Sequence, residues 1–146
     1  HQVSHGGTYA GNRVAAAAAV ATLTILKETD ALATVAATGQ RLQGEVRSIL
    51  ERRGLPFVFT GNPTMFGVMF TDRLPTDYRG WADTDHDLYD ALAKQMIPRG
   101  AMPEPDSREP WFMCEAHAAG DDLDRVVSAF EGALEAALDE RAGSPA

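Results

Sequence analysis

The stretch GLPFVFTGNPTMFGVMFTD, Gly54 to Asp72, decides the fold class. It opens on a helix stop: Gly54 suits the left-handed residue that follows a last helical turn, and Pro56 prevents continuation. Two β-type runs come next, Phe57-Val58-Phe59 and then Met65 to Phe70 around Gly67. Between them Thr60-Gly61-Asn62-Pro63 favours a chain reversal, so a hairpin is the simplest reading. A helix that stops at a hairpin predicts mixed helix and strand.

Working upstream, Asp30 can cap a helix over 31–53, with Leu32, Val35, Leu42, Val46, Ile49 and Leu50 spaced for one face. Before it, Asn12 is an N-cap candidate for a helix reaching about Glu28, with Leu23 and Leu26 on one side. Its run of alanines lets another backbone approach closely, so it is expected to pack on protein, a second subunit being one way.

Downstream, Thr71 to Asp83 carries Pro75 and Gly80 and reads as a loop. A helix from about Asp85 to Ile97 should bury Leu88, Leu92 and Met96, and Pro98 with Gly100 ends it. A strand near Ala101-Met102, a proline-broken loop to Pro110 and a short strand Trp111 to Glu115 follow. The last helix, about Asp121 to Arg141, has the cleanest pattern: Leu123, Val126, Val127, Phe130, Leu134 and Leu138. The tail Gly143 to Ala146 is expected to fray. This order predicts an α+β, two-layer architecture: a small, mostly antiparallel sheet covered by helices, preceded by a long Ala-rich helix.

The 146 residues suit one ordinary domain, and 45% hydrophobic with 23% charged residues argues against disorder. A net charge of −8, with basic residues scattered, speaks against nucleic acid, which needs clustered Lys and Arg. Val14 to Leu26 is interrupted by threonines and falls short of the roughly 20 apolar residues of a membrane span. Cys114 is the only cysteine, so no intrachain disulfide can form, which suits a reducing cytoplasm. The proline in Asn62-Pro63-Thr64 disqualifies a glycosylation acceptor.

Chemistry has few candidates. His1 and His5 have the spacing of a helical metal pair, but Gly6-Gly7 makes a helix there improbable and no third ligand is near, so no metal is expected. Cys114 reads as a buried small hydrophobe. His117, between a strand and a helix, reads as the holder of a structural hydrogen bond, with a catalytic base as the sharper alternative. The run HGGTYAGN, His5 to Asn12, has two readings. Its glycines, the Thr8 hydroxyl and free N–H groups can bind a phosphate or carboxylate ahead of a helix N-terminus, or the glycines merely turn the chain into a capped helix.

HGGTYAGNRVAAAAAVATL resembles the segment of the class III aminotransferases, pyridoxal-phosphate enzymes of fold type I, that reads G-T-x-x-G-N-P and enters an Ala-rich helix. The likeness continues in order through MFGVMFTD (Met65 to Asp72), EPWF (Glu109 to Phe112) and Ala116-His117 before an acidic-started helix. Within the class the glutamate-1-semialdehyde aminomutase group looks most similar. The resemblance implies a pyridoxal 5'-phosphate cofactor, a homodimer and a small amino acid, keto acid or amino-aldehyde substrate. It implies that Gly7 and Thr8 contact the cofactor phosphate of the neighbouring subunit, and that Glu109 lies near the substrate. It makes residues 1–30 the end of the large cofactor domain and 31–146 the small C-terminal domain. Departures are Arg13 where the family usually has proline, and Glu104, Arg108 and Trp111 around Glu109. The family's Schiff-base lysine lies upstream of the Gly-Thr turn, and neither Lys27 nor Lys94 matches it. The chain is therefore expected to be a C-terminal part without a catalytic residue of its own, the alternative being a stand-alone, non-catalytic binding module.

Overall fold

Asn12 closes the start of α1 (Arg13–Glu28), its side chain accepting from Ala15 N at 2.8 Å. This is the satisfied N-cap that the sequence predicts. No residue of α1 is buried, and Val14, Val20, Leu23 and Ile25 are exposed. The computed structural model describes residues 6–143, so His1, His5 and the last three tail residues lie outside the described residues. The chain divides into two units, His1–Ala33 and Thr34–Ala146.

Helix α2 (Ala31–Arg52) buries Leu42, Val46, Ile49 and Leu50 as its spacing predicts. Leu32 does not join them and is 61% exposed, and Val35 is only half-buried. The stop at Gly54 forms as expected. Gly54 has φ +65, Leu55 N donates to Leu50 O at 3.2 Å and Gly54 N to Glu51 O at 3.0 Å. These are the two bonds of a Schellman cap.

The sheet is antiparallel, in the order β1 (Val58–Asn62), β2 (Met65–Met69), β3 (Trp111–Phe112). Asn62 stands opposite Met65, so the reversal is Pro63-Thr64, two residues later than predicted. Proline, with no N–H to give a ladder, takes the turn, and Asn62 Oδ1 accepts from Thr64 N at 3.1 Å. Gly61 stays in β1 at φ +73, where a Cβ would fall 2.2 Å from Met65 O.

The hairpin tip lies against α2 at Gly39, where an added Cβ would meet Pro63 O at 2.0 Å. This accounts for a glycine inside a helix. Gly39→Ala gains up to about 1 kcal/mol of helix propensity. Forcing backbone apart costs roughly 1–3 kcal/mol, so the clash wins. A lower urea midpoint is the expected result, and a higher one would refute the contact.

Two other elements differ from expectation. The presumed loop 71–83 contains α3 (Tyr78–Ala82), started by Asp77 Oδ1 accepting from Gly80 N at 2.8 Å. Ala101-Met102 forms no strand, and the strand after Pro110 is only two residues, followed by a 3₁₀ turn Glu115–Ala118. Pro103 and Pro105 remove the donors a ladder along 101–105 would need. Helix α4 (His86–Met96) is capped by Asp85, which accepts from Leu88 N at 3.2 Å. A 3₁₀ turn, Ile97–Arg99, and Gly100 at φ +85 then end it. Helix α5 runs Asp122–Gly143 and so includes the glycine expected to fray.

Leu88, Leu92 and Met96 of α4 meet Phe130 and Leu134 of α5, the buried face of α2, and Phe66 and Val68 of β2 in one core. A series of rings crosses it, edge-on from Phe59 to Phe66 at 5.5 Å, tilted from Phe66 to Trp111 at 5.4 Å, and edge-on from Trp111 to Phe130 at 6.0 Å. The architecture is α+β, as the sequence predicts. Among the described residues no helix is long and apolar enough to cross a membrane.

Candidate functional site

In the first unit, Gly6 to Gly11 forms an exposed turn closed by Ala10 N to Gly7 O at 3.0 Å and Asn12 N to Tyr9 O at 3.1 Å. Gly7 has φ +149 and Gly11 φ +77, and a Cβ at either would meet nothing within 4 Å. The glycines are needed for backbone conformation and leave open space. Among the described residues, the Thr8 hydroxyl and the N–H groups of Thr8 and Tyr9 have no hydrogen-bond partner. A hydroxyl and backbone donors on an unobstructed turn form a donor set that suits a phosphate.

The second candidate, Glu109, is exposed at the end of a tight turn in the second unit. Its N–H donates to Asp106 O at 3.0 Å, and Arg108 N donates to Asp106 Oδ1 at 2.9 Å. The backbone of this turn passes over β2: a Cβ on Gly67 would stand 3.8 Å from both Ser107 O and Glu109 O.

The residues around the turn fall into two sets. Trp111 Nε1 donates to the buried Tyr89 hydroxyl at 2.9 Å, and that hydroxyl donates to Glu104 O at 2.7 Å. Tyr89 thus pins both ends of the arch 104–111 to α4. Burial pushes its phenol up to about 12, the Trp111 hydrogen bond opposing the shift. The middle of the arch is held by Trp81 of α3, whose Nε1 donates to the buried Ser107 Oγ at 2.8 Å. Trp81 also stacks on His86 at 5.1 Å and carries the Arg108 guanidinium 4.5 Å from its ring centroid. Arg108 Nε is 2.9 and 3.0 Å from the two Asp106 oxygens, and Nη2 donates to Oδ2. Those bonds hold the Asp106 carboxyl below the usual carboxylate range. Sequence reasoning missed Trp81 and Tyr89 because their partners are 26 and 22 residues away.

Cys114 is exposed, which corrects the expectation of a buried hydrophobe: it follows the short strand β3 and starts a surface 3₁₀ turn. His117 has the structural role expected of it. Its Nδ1 accepts from Cys114 N at 3.0 Å, so a neutral ring carries its proton on Nε2, 3.9 Å from Cys114 Sγ. Lys27 stands in the last turn of α1 and Lys94 in α4. Among the described residues no group of three His, Cys, Asp or Glu is placed to hold a metal. A cavity of about 540 Å³ opens beside β3, lined by Met96, Arg99, Met102, Phe112 and His117 among others, and Glu109 is not in its wall.

The family described as aminotransferase class III matches residues 1–97. The glutamate-1-semialdehyde 2,1-aminomutase of Methanopyrus kandleri is 31% identical over 134 residues, covering 92% of this chain and 31% of that protein. The aminomutase of Nitratidesulfovibrio vulgaris strain Miyazaki F is 34% identical over 120 residues, covering 82% and 28%. The chain spans under a third of the length of these relatives. Among solved structures, the PLP internal aldimine form of the Sphingopyxis sp. MTA144 FumI protein aligns with TM-score 0.77 and 25% identity, over 99% of this chain and 32% of that one. An omega-transaminase from Sphaerobacter thermophilus aligns with TM-score 0.70 and 27% identity, over 93% and 31%.

Proposed function

The chain belongs to the class III aminotransferases, and from that premise we propose that it works as the C-terminal part of a homodimeric pyridoxal-phosphate enzyme that transfers or relocates an amino group. Residues 1–30 then end the large cofactor domain and 31–146 form the small domain. Gly7 and Thr8 hold the cofactor phosphate of the neighbouring subunit, and Glu109 stands in the wall facing a small amino acid, keto acid or amino aldehyde. The exposed apolar residues of α1 suit packing on a second subunit. The setting is the cytoplasm, consistent with a single free cysteine.

Bound pyridoxal phosphate supplies an electron sink for the carbon that carries the amino group. The residues of this chain bind and orient. Thr8 Oγ and the N–H groups of Thr8 and Tyr9 take phosphate oxygens, and the glycines keep side chains out of the way. In this reading the 146 residues alone transfer no amino group: Lys27 lies in α1 and Lys94 in α4, and the resemblance puts the Schiff-base lysine upstream of the Gly-Thr turn.

The observation that carries the proposal is the set of donors on the Gly7-Thr8 turn that have no partner among the described residues. Thr8→Ala in the homodimeric enzyme that contains this chain should weaken pyridoxal phosphate retention by roughly 1–3 kcal/mol, the range of a charge-assisted bond. Affinity for pyridoxal, which lacks the phosphate, should stay as it was. Equal losses for both compounds, or no loss for either, would remove Thr8 from the phosphate site.

A further inference from the structure

We propose that Arg108 is a carboxylate-recognition residue, its outer edge preset to take a monoanionic carboxylate beside Glu109. The inference deepens the reading of the Glu109 turn as substrate wall and rests on it for the identity of the ligand as substrate. The geometry of the arginine stands by itself.

A guanidinium has five N–H donors in a rigid plane. Asp106 takes the side edge, through Nε and Nη2. The Trp81 ring lies 4.5 Å from the guanidinium carbon, and the Tyr78 ring 5.8 Å from it. Two constraints, one in the plane and one on the face, leave the side chain little freedom. The remaining edge, with both hydrogens of Nη1 and one of Nη2, has no hydrogen-bond partner among the described residues. The side chain is 48% exposed, so that edge is reachable.

The supports of Arg108 are themselves fixed. Trp81 is tied to the buried Ser107 and stacked on His86, and the Asp106 carboxylate is anchored by Arg108 N as well. An arginine held in this way loses little rotamer entropy when a second carboxylate docks on its fork, whereas a free surface arginine must be ordered first. A bidentate fork fits a carboxylate and a phosphate equally well in shape. Charge separates the two. Asp106 and Glu109 flank the arginine, so the turn carries one more negative than positive charge, and a dianion is repelled more than a monoanion.

The test uses the ¹⁵N-labelled 146-residue chain, reading the Arg108 Nε–H and Trp81 Nε1–H signals by NMR. Sodium butyrate should move both signals saturably, with a dissociation constant of roughly 1–10 mM, as a bidentate charge-assisted pair on a preset arginine gives. Butyramide, the neutral isostere, should move neither, and inorganic phosphate should need a higher concentration. Arg108→Lys keeps the charge but loses the fork, and should weaken butyrate roughly tenfold while the other indole signals hold their positions. Equal responses to butyrate and butyramide would overturn the proposal, as would tighter binding of phosphate or an undiminished response in the lysine variant. Pyridoxal phosphate takes no part in this titration, so its outcome is independent of the Thr8→Ala experiment.

Discussion

Phe130→Ala should cost the second unit about 3–5 kcal/mol, the usual range for emptying a buried aromatic site. Phe130 is fully buried in α5 and ends the ring series that joins β1, β2 and β3 to that helix. Two effects add. The lost ring surface is worth roughly 2–3 kcal/mol in transfer alone, and the edge contact with Trp111 contributes about 0.5–1.5 kcal/mol more. The residues one turn away on α5, Val126, Val127, Ala133 and Leu134, already pack in or against the same core, so filling the cavity would pull them from contacts they make. Typical domains have only 5–15 kcal/mol to lose. The measurement is urea unfolding followed by Trp fluorescence, with a fall in midpoint and an unchanged slope. Phe130→Leu should recover most of the loss. A cost under about 1 kcal/mol for the alanine variant would mean that α5 does not pack on the sheet as described.

The parts of this fold legible in the sequence are those set by local backbone chemistry. The stop at Gly54, the cap Asn12 and the end at Gly100 each need only a few neighbouring atoms. The hairpin was legible as a hairpin, but its tip was displaced, because the composition of Thr60 to Pro63 marks a reversal without choosing between two registers. In the folded chain the tip at Pro63 also meets Gly39 of α2, far away in the chain. Helix α3 was hidden because Pro75 and Gly80 read as loop residues, although Asp77 uses the Gly80 N–H as a helix start. In α5 the large apolar residues announced the face, while Ala129, Ala133 and Ala137, which let the helix sit close, did not. Gly7, Thr8 and Glu109 came from motif order. The supports of the arch, Trp81 and Tyr89, gave no local signal, since nothing within a few residues of either one needs it.

Tyr89 carries the other large effect, and it should appear in alkali. Its phenol titrates near 10 when unfolded and near 12 when buried in the folded chain. The raised value means the folded state keeps a proton that the unfolded state releases between about pH 10 and 12. The unfolded state therefore binds fewer protons there, and stability falls as pH rises. The contribution is fully present below about pH 10 and gone above about 12; two units correspond to about 3 kcal/mol. Other groups titrate in the same window, so Tyr89→Phe provides the reference. At neutral pH that variant should be less stable by roughly 1–3 kcal/mol, because Trp111 Nε1–H and Glu104 C=O each lose their partner. Its stability should then decline more gently than that of the parent chain above pH 10, so that the two curves converge or cross. Parallel curves through that window would show that the Tyr89 hydroxyl is not confined between α4 and the arch. Convergence would show that the two ends of the arch are tied to α4 through one buried hydroxyl, its middle being held separately by Trp81 on Ser107.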